Sequence, residues 1–165
     1  MTCDKIRPAA IADVEALDAA LRDLSAHMGD SHKATADDLR RAGFGDHPSF
    51  RAVVAERDQT ISGVALYSPV FSTVRGASGI YVSDLWVSDA VRGSGLGRRL
   101  MAAAFDDAQK RWGATYIRLT VYHDNTGARA FYERLGFMEN DEEHYLILSG
   151  QQLQALSGID DEGDS

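Results

Sequence analysis

Apolar residues recur early in the chain at three- and four-residue spacing: Ile11, Val14, Leu17, Leu21, Leu24 and Met28. That period predicts an amphipathic helix, with Pro8 in its first turn and Gly29 as its stop. Ahead of it, residues 5–7 read as a short strand. A second helix is predicted around residues 35–41, with Thr35 as N-cap and Asp37 and Asp38 at the positive end of the helix dipole. Gly43 and Gly45 end it. Two strand-like runs, FRAVVAE and ISGVALY, then predict an antiparallel hairpin turning around Asp58. A loop containing Pro69 and Gly76 leads on to IYVSDLWV.

Further along, Leu96, Leu100, Met101, Ala104, Phe105, Ala108 and Trp112 trace one helical face, closed by Gly113. YIRLTVY alternates, with Ile117, Leu119 and Val121 on one side and Tyr116, Arg118 and Thr120 on the other, as a strand does. A helix is predicted over residues 125–135, stopped by Gly136. HYLILS reads as the last clear strand, and a weaker one starts at Phe137. The closing GQQLQALSG predicts a short helix whose Leu153 and Leu156 would pack on the body or on a partner subunit, so a homodimer is among the expected assemblies. The order of elements is that of an α/β domain with a mixed sheet, expected over residues 1–157 as a single domain. Residues 158–165 are expected to form a disordered acidic tail.

One strand breaks its own alternation. In IYVSDLWV, Ile80 and Val82 are apolar at even positions, whereas Leu85 and Val87 are apolar at odd ones. Because strand side chains alternate with period two, either a β-bulge near Ser83–Asp84 absorbs one residue or the strand is buried on both faces. Bulges often sit beside active sites.

Composition narrows the class. The chain has 165 residues, 44% hydrophobic and 25% charged, as a soluble globular protein does. The N-terminus lacks the apolar core of a signal peptide, no run approaches a membrane span, and the single Cys3 cannot close an internal disulfide. A cytoplasmic address with no membrane partner is the expectation. The net charge of −8 argues against nucleic acid. The five histidines form no i,i+4 pair, so no metal is assigned.

Against that acidic background stands VRGSGLGRRLM, residues 91–101, where glycines at 93, 95 and 97 alternate between arginines just before a helix. A glycine-rich turn at a helix start is either a tight connection or an anion site, because free amides and the helix dipole both favour negative charge there. It is neither a G-x-G-x-x-G dinucleotide fingerprint nor a Walker loop. It resembles the Arg-x-x-Gly-x-Gly acetyl-CoA loop of the GNAT superfamily of N-acetyltransferases, with Arg92, Gly95 and Gly97 in the motif positions. A second block, N-x-x-A-x-x-x-Y-x-x-x-G-F at Asn125, Ala128, Tyr132, Gly136 and Phe137, resembles the downstream helix of the same family. The two blocks occur in the right order and spacing.

The resemblance implies the GNAT fold: a mixed, mostly antiparallel central sheet flanked by about four helices, with a bulge in the fourth strand. It implies acetyl-CoA as cosubstrate, its pyrophosphate on the turn formed by Arg92, Gly93, Ser94, Gly95, Leu96, Gly97 and Arg98. The pantetheine arm would run along the backbone of Leu85, Trp86 and Val87. Asn125, Ala128 and Phe131 would line the cofactor on the downstream helix, and Tyr132 would be the acid that protonates the departing thiolate; without the motif, Tyr132 reads as a packed helix tyrosine. Asp84 is either the base for the amine, a binder of a cationic amine or a salt-bridge partner. The DLWV context is similar to that of diamine (polyamine) acetyltransferases, which carry a Glu-Asp pair where this chain has Ser83-Asp84. The expected acceptor is a small cationic primary amine, met by the acidic loops around residues 28–38 and 139–143. Alternatives are a protein or peptide amino group, or a non-catalytic acetyl-CoA sensor, against which the presence of both Asn125 and Tyr132 speaks.

Overall fold

The computed structural model describes residues 3–158 of the chain, so most of the acidic tail lies outside the described residues. The chain forms two compact units, Met1–Asp124 and Asn125–Ser165.

The first unit is built on a five-stranded sheet in the order β1-β2-β3-β4-β5: Lys5–Pro8, Arg51–Arg57, Thr60–Ser72, Ala77–Val87 and Ile117–Arg118. The first four strands are antiparallel neighbours, and β5 joins β4 in parallel. Helices α1 (Val14–Met28) and α2 (Ala36–Phe44) cover one face, where Val14, Leu17, Ala20, Leu21 and Leu39 meet Ala52, Val54, Val64 and Leu66. Helix α3 (Leu96–Trp112) packs on the other through Leu96, Leu100, Met101, Ala104 and Ala108. Asp107 of α3 is clamped to the sheet by Arg51 at 2.7 and 3.0 Å and by the hydroxyl of the fully buried Tyr67. Burial works against the Asp107 charge, but the bonds from Arg51 and Tyr67 prevail and hold its carboxyl below the usual range. The second unit contains α4 (Thr126–Arg134) and α5 (Gln151–Ser157).

Four expectations need correction. First, α1 starts at Val14 rather than near Pro8. Pro8 ends β1 opposite Val53, and a single 3₁₀ turn, Ile11–Asp13, intervenes. Asp13 fixes that turn by accepting from the Ala10 amide at 2.7 Å and from Arg7. Second, β3 runs straight through Pro69 to Ser72. Pro69 sits opposite Ile80, whose amide donates to Tyr116 across β5, so this pair is not hydrogen-bonded. The ring therefore faces the other edge, where β2 has already ended at Arg51 opposite Tyr67, and no ladder bond is lost. Third, the alternating YIRLTVY forms only the two-residue β5. Fourth, residues 137–149 form no strand, including HYLILS, and Tyr145, Leu146 and Ile147 are exposed. Alternation or apolarity alone does not make a strand; a ladder partner must satisfy its backbone, and no described strand supplies one.

The hairpin turns where expected, on Asp58 and Gln59, both at positive φ (50° and 63°) between the paired Arg57 and Thr60. Two left-handed residues in a two-residue loop match the right-handed twist of the strands. Aspartate tolerates that conformation, whereas glutamine is strained by it. Gln59→Gly is expected to stabilise the fold by about 1 kcal/mol, read as a Tm rise of about 2–4 °C. A lower Tm would contradict this account of the turn.

Candidate active site

The broken alternation of β4 is a bulge. Leu66 pairs with Asp84 and Tyr67 with Val82, so Ser83 is the extra residue. Side chains opposite one another share a face. Tyr67 reaches Asp107 and Trp112 of α3, which places Val82 on the α3 face. Beyond the bulge Leu85 lies opposite Ala65 and Val87 opposite Gly63; a Cβ at Gly63 would meet Leu100 and Leu96 of α3. One inserted residue thus keeps Val82, Leu85 and Val87 on the α3 face. Asp84 and Trp86, opposite the core residues Leu66 and Val64, share the face covered by α1 and α2.

Asp84 is half-buried there. Burial pushes its carboxyl above the ordinary range, opposed by a 2.8 Å bond from the Ser83 hydroxyl and by His32. Trp86 donates its indole N–H to Asp23 of α1 at 2.8 Å, which fixes the ring beside Asp84. Asp30, just past α1, accepts from the Tyr122 hydroxyl.

The other edge of β4 opens after Tyr81. Strand β5 pairs only with Ile80 and Tyr81, so residues 82–87 have no ladder partner on that side among the described residues. An extended amide-bearing chain fits such an edge, as an added strand does.

Beyond β4, Ser88 leads through a 3₁₀ turn, Asp89–Val91, into the glycine run. Gly93 and Gly95 both hold positive φ (77° and 80°), a conformation that suits glycine. Gly95 is the N-cap of α3; it offers no capping side chain, and the first turn contains no acid. The amides of Leu96, Gly97 and Arg98 precede the first i,i+4 bond, from Arg99 to Gly95, so they lack intrahelical acceptors. Ser94 folds back, donating to the Val91 carbonyl at 2.6 Å. The arginines divide their work. Arg92 pairs with Asp89 at 3.1 Å, and Arg99 donates to the Asp4 carbonyl at 2.9 Å. Arg98 is exposed, with no ion pair among the described residues. Free amides, a 17-residue helix dipole and an uncommitted arginine at one turn fit a pyrophosphate.

The remaining predicted residues belong to α4. Asn125 stands just outside the helix as its N-cap, its side-chain oxygen accepting from the Ala128 amide at 3.1 Å. Tyr132 lies edge-on between Phe131 and Phe137, at ring separations of 5.1 and 5.5 Å. Among the described residues no group of three or more His, Cys, Asp or Glu is placed to hold a metal, and no helix is long and apolar enough to cross a membrane.

A mixed sheet with a bulged β4, an open β4 edge and a glycine-started helix offers a place for an extended, amide-bearing chain that ends in a pyrophosphate. Residues 17–137 match the acetyltransferase (GNAT) family, and the chain belongs to that family. It is similar to thialysine N-epsilon-acetyltransferase of Sus scrofa, with 29% identity over 142 residues, 79% of this chain and 82% of that one. Among solved structures, an integron cassette protein from V. cholerae superposes with a TM-score of 0.77 at 23% identity, covering 93% of this chain and 97% of that one. An aminoglycoside N-acetyltransferase in complex with CoA superposes with a TM-score of 0.74 at 18% identity, covering 92% and 97%. The chain is thus an acetyl-CoA-dependent N-acetyltransferase, which moves an acetyl group to an amine.

Sequence reasoning pointed to the loop around residues 28–38, which contains His32, but singled out neither His32 nor Asp18 and Asp23 of α1. Only the Asp84–Trp86 pair carried a signal, through the broken alternation.

Proposed function

We propose that the chain acetylates a primary amine of a small cationic acceptor, by direct attack of the amine on the thioester. The observation that carries this reading is Asp84, half-buried beside an indole that Asp23 holds in place. An aromatic ring flanked by carboxylates suits an ammonium group. The N-acetylation of thialysine and of aminoglycosides in the names of two similar proteins supports the same class.

Acetyl-CoA supplies an acetyl group activated as a thioester. The amides of residues 93–98, with Arg92 and Arg98 at the rim, hold its pyrophosphate, and the backbone of Leu85, Trp86 and Val87 takes the pantetheine arm. Asn125, Ala128 and Phe131 line the cofactor from α4. The acceptor arrives as an ammonium and must lose a proton before its nitrogen can attack. Asp84 receives that proton, directly or through one water, and its raised carboxyl suits it as a base nearer neutral pH. As the C–N bond forms and the C–S bond breaks, the Tyr132 phenol donates its proton to the leaving sulfur and is reprotonated from the nitrogen or solvent. The products are an N-acetyl amine, CoA thiol and one released proton. The site acts in a cytoplasmic protein, as a homodimer or monomer.

Asp84→Asn is expected to lower kcat/KM for a cationic amine by about a hundredfold with unchanged acetyl-CoA affinity. Because the folded carboxyl is raised, its ionised form costs stability as pH rises above the ordinary carboxylate range. The variant should therefore melt no lower than wild type at neutral pH. Thiol-release kinetics, a cofactor titration and a thermal melt read the three outcomes. Wild-type kcat/KM would remove Asp84 from the reaction.

A further inference from the structure

Two buried polar side chains take no part in the chemistry above: Asp4, just ahead of β1, and Ser62 of β3. Ser62 owes its inward place to a second bulge. Glu56 pairs with Ile61 and Ala55 with Gly63, so Ser62 is the extra residue, and its hydroxyl donates to Asp4 Oδ1 at 2.7 Å. Arg57, at the end of β2, grips the same carboxylate with both prongs, Nε at 3.1 Å and Nη2 at 2.6 Å. A buried carboxylate is costly to leave without its partners. The β2–β3 hairpin does not need this cluster for its register, because the turn on Asp58 and Gln59 already sets that.

Two further bonds run from the cluster to the glycine turn. The Ser62 carbonyl accepts from the Ser88 amide at 2.9 Å, one step past the last ladder pair, Gly63 with Val87. The Asp4 carbonyl accepts from Arg99 Nη2 at 2.9 Å, in the first turn of α3. Residues 88–99 are thus tied at entry and exit to one buried cluster. Between those ties the turn's own bonds are local: Arg92 with Asp89 and the Val87 carbonyl, Ser94 with the Val91 carbonyl, and the Val91 amide with Ser88. Asp89 also lies 4.0 Å from His27 of α1, and both side chains are exposed. Val91 and Leu96 are buried, but apolar contact is non-directional and does not aim an amide. A Cβ at Gly63 would lie 2.7 Å from Leu100 and 3.2 Å from Leu96, so the start of α3 sits directly on the strand beside the bulge.

We propose that Asp4 and Arg99 are positioning residues for the cofactor's pyrophosphate: Asp4, its carboxylate fixed by Arg57 and Ser62, holds the start of α3 through Arg99 and so aims the amides of residues 96–98. This rests on the reading of the turn as the pyrophosphate site. Arg99 works through the Asp4 carbonyl, while the exposed Arg98 stays available to the phosphates themselves.

A double-mutant cycle on the full chain tests it, with acetyl-CoA titrated by calorimetry. Arg99→Met keeps the apolar stem and removes the bond to the Asp4 carbonyl. Asp4→Asn keeps that carbonyl but weakens the grip of Arg57 on the side chain. Each is expected to raise the acetyl-CoA Kd by about tenfold. The two together should also cost about tenfold rather than about a hundredfold, because both break one link. With a diamine that wild type turns over, kcat at saturating acetyl-CoA should stay within about twofold while the KM for acetyl-CoA rises. Ser62→Ala serves if Asp4→Asn melts early; it should raise the Kd by about threefold alone and add nothing to Arg99→Met. Additive losses would place Arg99 on the cofactor itself and overturn its positioning role. An unchanged Kd, or a kcat that falls in step with the rise in Kd, would reduce the cluster to an anchor of the fold. If Gly95→Val binds acetyl-CoA normally, the reading of the turn fails and this proposal with it. If Gly95→Val fails to bind while Arg99→Met binds as wild type does, this proposal alone fails.

Discussion

Gly95→Val is expected to abolish acetyl-CoA binding while leaving the chain folded. Gly95 holds a φ of 80° as the N-cap of α3. A Cβ there would meet no atom of the chain within 4 Å, so the substitution meets no internal clash. Its internal cost is conformational, about 1–3 kcal/mol for a β-branched residue held in the left-handed region. The core face of α3 and its Asp107 clamp lie further along the helix and should hold. What changes is the outer surface of the turn. Valine either fills the space in front of the amides of Leu96, Gly97 and Arg98 or rotates them away from a common point, and a pyrophosphate depends on both. Calorimetric titration should show no acetyl-CoA binding in a variant whose melt is lowered by a few degrees. Gly95→Ala should fall between the two. Normal titration in folded Gly95→Val would contradict the loop assignment.

Tyr132→Phe is expected to lower kcat by about two orders of magnitude with acetyl-CoA affinity nearly intact. The ring contacts with Phe131 and Phe137 involve the aromatic edges, and phenylalanine preserves them. The substitution keeps the ring and removes one hydroxyl, so a loss in kcat with cofactor affinity intact reads the proton given to the leaving sulfur. Single-turnover kinetics distinguish the chemical step from product release. Raising the thiol acidity of the leaving group, by using a thioester of a more acidic thiol, should restore much of the loss, since such a thiolate departs without a proton. An unchanged single-turnover rate would remove Tyr132 from the role of acid.

What could be read from the sequence was whatever depends on neighbours along the chain. The three- and four-residue periods reported the middle of the buried faces of α1 and α3, where Val14, Leu17, Leu21, Leu96, Leu100 and Met101 are all buried, whereas Ile11 and Met28 at the ends of the first predicted face are exposed. The bulge was legible because one inserted residue shifts every later side chain by one position, and the shift between Val82 and Leu85 is written in their polarity. The glycine run was legible for the same local reason, since positive φ leaves glycine as the favoured residue.

The failures all concern partners distant in sequence. Whether Pro69 ends a strand depends on where β2 stops, which no property of Pro69 reveals. Residues 116–122 alternate like a strand, but only Ile117 and Arg118 find a ladder. The acceptor side was the least legible part of the candidate site. His32 has no motif around it, and its contacts with Ser25 and Asp18 exist only once the loop folds back on α1. Asp23 likewise reads as a solvated helix acid until the Trp86 indole reaches it.

The most direct test of the central claim is thiol release by the full chain with acetyl-CoA, run against diamines, polyamines, aminoglycosides, free lysine and peptides bearing a lysine or a free N-terminus. The account predicts turnover with at least one small cationic amine, with one CoA thiol released for each N-acetyl product found by mass spectrometry. Turnover confined to the peptides, or acetyl-CoA binding with no amine turned over, would contradict it.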